Sequence, residues 1–175
     1  MHRSFSRPSR RLTRSLDHKP AQSVHLLVTI VPMTTVQWSE DLALGVEAMD
    51  ATHQEFVVLL EQAALADDTA LLPAWDKVVQ HTQEHFGLED QWMKDSGFSS
   101  CECHSGEHTA ILAVMQEGGR RGAAGNTDLL RQLARELGIW FAGHAQGMDT
   151  ALAEHLKDTQ FLAGPGKVAA SLLND

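Results

Sequence analysis

The chain has 175 residues, 43% of them hydrophobic and 21% charged, with a formal net charge of −9 at pH 7. That length and apolar content suffice for one domain with a sizeable core, while the acidic balance argues against nucleic-acid binding. The two cysteines are too few for a disulfide framework.

Charge is unevenly spread. Residues 1–32 hold six Arg or Lys against one Asp, whereas residues 33–175 hold eight basic and 22 acidic side chains. Residues 1–36 therefore read as a basic, disordered extension, with Met33 a candidate for the true start. Ser9-Arg10-Arg11 is a weak match to a twin-arginine export signal, because Asp17, His18 and Lys19 follow it and the apolar run Leu26–Val31 is short. That run is also too short to cross a bilayer. No membrane insertion and a cytoplasmic location are expected.

Four amphipathic stretches follow. In the first, Val46, Met49, His53, Phe56, Val57 and Leu60 recur at three- and four-residue steps, the period of one helix face. In the second, Trp75, Val78, Val79, Phe86, Trp92 and Met93 do the same, with His85 and Glu89 in register. The third carries His104, His108, Ile111, Leu112 and Met115, and the fourth Leu130, Leu133, Leu137, Trp140, Phe141, His144, Met148 and Leu152, with Asp149 beside them. Asp67-Asp68-Thr69 and Pro73 open the second helix, and Gly97 follows its end. Gly118-Gly119 is expected to close the third, leaving Gly118 to Gly125 as a flexible loop before Asn126-Thr127 caps the fourth. The pattern predicts an all-α, up-down-up-down four-helix bundle over residues 37–160, with residues 161–175 a tail or short helix beyond the break at Gly164-Pro165-Gly166.

On every stripe stands at least one ionisable residue. A neutral polar group buried without a partner costs roughly 2 to 7 kcal/mol, so a single core histidine needs a hydrogen bond. Four helices each sending such a residue inward call for a common partner. Imidazole and carboxylate are good ligands for first-row metals, and bundle cores are where such sites are built. The candidate ligands are His53, His85, Glu89, His104, His108, His144 and Asp149. The pairs His85/Glu89 and His104/His108 are four residues apart, so each pair shares one helix face. His144 and Asp149 are five apart, roughly 140° on a regular helix. A π-bulge or local unwinding between them, eased by Gly143 and Gly147, is expected.

His81, one turn before His85, is expected to stand behind the ligands or partly exposed, not to be an eighth ligand. Cys101 and Cys103 invite a zinc reading with His104, but structural zinc sites use wider spacings and four ligands. Two free thiols in a reducing compartment fit better.

The order Trp38, Leu44-Gly45-Val46, Asp50, His53, His85-Phe86, Glu89, Met93, His104, His108, Trp140, His144, Asp149 resembles the bacterial single-domain hemerythrins, over about Trp38 to Leu156. The resemblance implies a non-haem, oxo- or hydroxo-bridged di-iron centre that binds O2. It further implies that His104, His108 and His144 hold the coordinatively filled iron, His53 and His85 the iron with an open site, and that Glu89 and Asp149 bridge them. Phe56, Phe86, Trp140 and Phe141 are the candidate walls of the O2 pocket. Phe141 and Ala145 depart from the family, which commonly has leucine at the first and a larger aliphatic at the second.

A ligand set of five imidazoles and two carboxylates carries less negative charge than four-carboxylate di-iron sites, whose paired Glu-x-x-His motif is absent here. High-valent iron is then less stabilised, which favours binding O2 over cleaving it. The expected function is reversible O2 binding by a carrier, store or delivery protein, not an enzyme. The expected partners are O2 and an O2-accepting protein, with the chain monomeric or weakly oligomeric. The alternatives on the same scaffold are a di-iron peroxidase, a nitric oxide handler or an O2 or redox sensor. An enzyme would need an acid/base group near the open site, and with no tyrosine in the chain only His81 or a nearby carboxylate could serve. Iron sequestration is a third reading, marked by loss of metal to mild chelation.

Overall fold

A computed structural model describes residues 36–164. The expectations for residues 1–35 and 165–175 lie outside that range. After a short 3-10 turn, Glu40–Leu42, come α1 (Glu47–Leu65), α2 (Leu71–Ser96), α3 (Cys101–Ala123) and α4 (Thr127–His144). A π-helical turn, Ala145–Asp149, continues α4 into α5 (Thr150–Asp158). Helix α1 packs on α2, α2 on α3 and α3 on α4, and α4 closes against α1. With connections this short, that ring is an up-down-up-down bundle. No described helix is long and apolar enough to cross a membrane.

Local chemistry sets the helix ends. Asp50 reaches back to accept from the Leu44 and Gly45 amides at 2.6 and 2.9 Å, fixing the chain as it enters α1. Before α2, Asp67 Oδ1 accepts from the amides of Thr69 and Ala70, both at 2.9 Å. Pro73 sits in the first turn, where its missing N–H has no helical partner to lose. Gly97 ends α2 in the left-handed region, φ 70°, with Gly97 N donating to Lys94 O and Phe98 N to Met93 O, the Schellman closure. Asn126 caps α4 by accepting from the Leu129 amide at 3.2 Å.

The predicted end of α3 is wrong. The helix runs through Gly118-Gly119 to Ala123, and the expected loop shrinks to Ala124, Gly125 and Asn126. The terminating glycine is Gly125, at φ 98°, with Asn126 N donating to Arg121 O and Gly125 N to Gly122 O. Gly118 and Gly122 serve helix contact instead. A Cβ on either would stand 2.3 Å from a side chain of α4, from Leu133 Cδ1 and Leu130 Cδ1 respectively.

The apolar stripes form two separate clusters. One gathers Phe56, Leu60, Trp75, Val78, Met115, Leu130, Leu137 and Phe141, and the other Met49, Trp92, Met93, Leu152, Ala153 and Leu156. Along α1 the first cluster follows His53 and the second precedes it. Along α2 the order is reversed, as antiparallel neighbours require. The ligand-type residues thus occupy a polar layer between two apolar ones. Each fully buried Leu, Met or Phe contributes about 1.5–3 kcal/mol, and these layers keep water from reaching the polar one along the bundle axis.

Candidate metal centre

All seven candidate ligands meet in that layer. His53 comes from α1, His85 and Glu89 from α2, His104 and His108 from α3, His144 from the end of α4 and Asp149 from the π turn. Each is at most 5% exposed. The π turn answers the five-residue spacing, since its wider ring absorbs the extra residue and turns Asp149 to the same centre as His144. Thr150 Oγ1 supports it by donating to the Ala145 carbonyl at 2.9 Å.

Donor atoms converge as two groups, Glu89 with His104, His108, His144 and Asp149, and Glu89 with His53 and His85. Glu89 Oε1 lies 3.0 Å from His85 Nε2 and 3.6 Å from His53 Nε2, while its Oε2 lies 3.4 Å from His108 Nε2. Asp149 divides likewise: Oδ2 is 3.4 Å from His53 Nε2, and Oδ1 is 3.1 Å from His104 Nε2 and 3.3 Å from His144 Nε2. His144 Nε2 is 3.1 Å from His104 Nε2 and 3.2 Å from His108 Nε2.

These separations suit metal ligation. Two donors about 2.1 Å from one ion and at right angles stand about 3 Å apart. Nitrogens that face each other so closely with bare lone pairs repel unless a cation lies between them. His53 Nε2, Glu89 Oε2 and both Asp149 oxygens are buried with no hydrogen-bond partner among the described residues, a costly state that a metal relieves. No thiolate belongs to either donor group. The set of imidazole nitrogen and carboxylate oxygen fits a first-row ion.

Electrostatics point the same way. Burial works to raise the Glu89 carboxyl, but the charge of His85 and the close imidazole nitrogens of His108, His53 and His85 outweigh it and hold it well below the ordinary value. Asp149 is also held low, burial and the Glu89 charge being overcome by His104 and His144. Burial works to lower His53 and His144, yet the same two carboxylates raise both above 6.5. The layer demands positive charge at its centre.

Around the ligands, Phe141 meets His53 edge-on at 5.1 Å and Phe56 at 4.8 Å. Phe86 lies flat on His108, centroids 3.8 Å apart and planes within 5°, and 5.3 Å from His85. Trp140 stacks on His144 at 4.6 Å, so this predicted wall stands beside the three-histidine group. Trp140 also borders an open, mainly apolar groove of about 590 Å³, shared with Phe98, Cys103, Glu107 and Ile139. His81 is 1% exposed and belongs to neither donor group. Its Nε2 faces the Thr52 carbonyl at 3.1 Å, so that nitrogen carries the proton. Burial and the nearby His85 push His81 down to about 4, so it is neutral. Cys101 and Cys103 are free thiols, the first half-buried and the second exposed.

Two carboxylates here escaped the sequence reading. Asp90 Oδ1 lies 3.0 Å from His108 Nδ1, and Glu107 Oε1 lies 3.3 Å from His144 Nδ1 while accepting from Trp140 Nε1 at 2.8 Å. Burial acts to raise Glu107, but the Trp140 hydrogen bond and the His144 charge hold it below the ordinary value. Each is next in sequence to a ligand and off the apolar stripe, a position that reads as a solvated face.

A model of the hemerythrin HHE cation binding domain matches residues 44–156. A bacteriohemerythrin of Ralstonia nicotianae is 40% identical over 124 residues, 71% of this chain and 90% of that protein. Another, from Stenotrophomonas maltophilia, is 28% identical over 129 residues, 71% of this chain and 84% of that protein. With the match spanning every ligand-type residue of the buried layer, the chain belongs to the hemerythrin family.

Proposed function

We propose that the layer holds two iron ions and that the protein binds O2 reversibly, as a carrier, store or delivery protein. One observation carries the reading: Glu89 and Asp149 each turn one oxygen toward the three-histidine group and the other toward His53. Two carboxylates so arranged suit a pair of ions bridged by both. His104, His108 and His144 would hold one iron, and His53 and His85 the other. With one protein ligand fewer, the second would have room for O2. When bound, the iron pair supplies the two electrons that O2 binding draws on. Membership of the hemerythrin family, whose resemblance implies a di-iron centre, favours iron over other first-row metals.

The residues of this chain then decide access and outcome. Phe56 and Phe141 wall the two-histidine half and exclude water and reductants, and Phe86 lies between the halves. His81 has its one proton committed to the Thr52 carbonyl. It offers no free acid to bound O2, which favours a carrier over a peroxidase. Residues 37–160 form the O2-binding unit, acting in the cytoplasm as a monomer or weak oligomer and passing O2 to an acceptor protein.

The test is optical. Iron-loaded protein, reduced without air, exposed to O2 and then purged, should show a visible charge-transfer band that appears with O2 and vanishes on purging. Irreversible oxidation on first exposure, or catalytic consumption of added peroxide, would replace the carrier with the enzyme or sensor reading.

A further inference from the structure

The two halves of the layer are braced unequally. His108 Nδ1 faces Asp90 Oδ1 at 3.0 Å, and Ser105 Oγ donates to the same oxygen at 2.8 Å. His144 Nδ1 faces Glu107 Oε1 at 3.3 Å, the oxygen that also takes the Trp140 indole N–H. By contrast, His53 Nδ1 and His85 Nδ1 are buried with no partner among the described residues, as is His104 Nδ1. Two of three imidazoles in one half are therefore backed by a carboxylate, and neither of the two in the other half.

An ionised carboxylate only accepts. In the neutral, metal-binding form the one proton of His108 and of His144 therefore sits on Nδ1, leaving Nε2 bare toward the centre. Such a partner also makes the imidazole a stronger donor. Stacking completes the clamp: Phe86 covers His108 and Trp140 covers His144. Both carboxylates lie at the rim, with side chains 42% exposed for Asp90 and 33% for Glu107, so altering them does not open the core.

We propose that Asp90 and Glu107 are positioning residues that fix His108 and His144 as Nε2 donors and make the three-histidine half the tighter of two metal positions. The inference rests on the two-ion reading given above. Asp90→Asn and Glu107→Gln keep an oxygen that accepts from Nδ1–H but remove its charge, which separates electrostatic support from shape. Glu61→Gln, exposed on α1, removes the same charge away from the layer.

The experiment is anaerobic competition for Fe(II) between the full chain and a graded chelator, with urea unfolding of each metal-free protein alongside. The wild type should release iron in two steps. Asp90→Asn and Glu107→Gln should each weaken the tighter step by about 10- to 100-fold, with the looser step and the metal-free midpoint unmoved and Glu61→Gln unaltered throughout. An unchanged tighter step, equal weakening of both steps, or a fall in affinity that tracks a fall in the metal-free midpoint would overturn the proposal. A wild type that holds one iron would contradict the two-ion reading instead. The carboxylate claim would then stand or fall on whether the two variants weaken that ion.

Discussion

Raising the pH above neutrality should weaken the metal-free protein and spare the iron-loaded one. In the protein without metal, His53 and His144 are held above the ordinary value of 6.5 by Glu89 and Asp149, against the opposing effect of burial. A group whose folded pKa is raised stabilises the fold fully below its unfolded value, and that stabilisation is lost as pH climbs through the folded value. Above about 6.5 the folded state keeps up to two protons that the unfolded chain has released. Each changes stability by about 1.4 kcal/mol per pH unit, so the slope approaches about −2.7 kcal/mol per unit while both stay bound. His81, pushed down to about 4, acts in the opposite sense between about 4 and 6.5, where only the unfolded chain takes its proton. The two effects place the metal-free maximum near pH 6.5. Iron binding needs bare Nε2 atoms and expels the extra protons, so the negative slope should vanish. Urea unfolding followed by tryptophan emission, at about pH 6.5 and 8.5, before and after anaerobic iron loading, measures both. Metal-free stability that holds or rises over that interval would refute the reasoning.

Two further outcomes follow from particular contacts. Gly106→Ala, mid-helix in α3 with nothing within 4 Å of the new methyl, should raise stability by about 1 kcal/mol. Gly122→Ala gains the same helix propensity but drives its methyl to 2.3 Å from Leu130 Cδ1 and 2.8 Å from Leu130 Cγ. Leu130 is fully buried, and overpacking of about 1–3 kcal/mol should leave a net loss of up to about 2 kcal/mol. The two urea midpoints should therefore move in opposite directions, and a rise in both would show that Leu130 relaxes freely. His85→Ala should abolish the optical response to O2 while iron stays bound at the three-histidine half, as metal analysis would register. Reversible O2 binding by that variant would contradict the role given to His85.

Much of the layer was legible because its residues break a strong rule. His53, His85 and His144 stand where apolar periodicity demands Leu or Phe, and a violation repeated on four helices has few physical explanations. The π turn was legible for a geometric reason, since five residues from His144 to Asp149 cannot share a face on a regular helix. Gly118-Gly119 misled because a glycine pair reads as a terminator. Glycine also permits close helix contact, and only the facing Leu130 and Leu133 of α4 reveal that use. Asp90 and Glu107 were hidden because carboxylates off the apolar stripe look like any solvated residue until the imidazoles behind them are placed. The Trp140 ring turns toward His144 and the outer groove, a direction that periodicity alone does not resolve.

Mössbauer spectroscopy of the chain loaded with isotope-enriched iron, with iron counted per chain, would show directly whether it holds a bridged pair of unlike iron sites. Two ions per chain in two distinct environments, magnetically coupled in the oxidised protein, are predicted from the split of Glu89 and Asp149 between the two histidine groups. One ion per chain, or two uncoupled ions, would contradict the bridged pair.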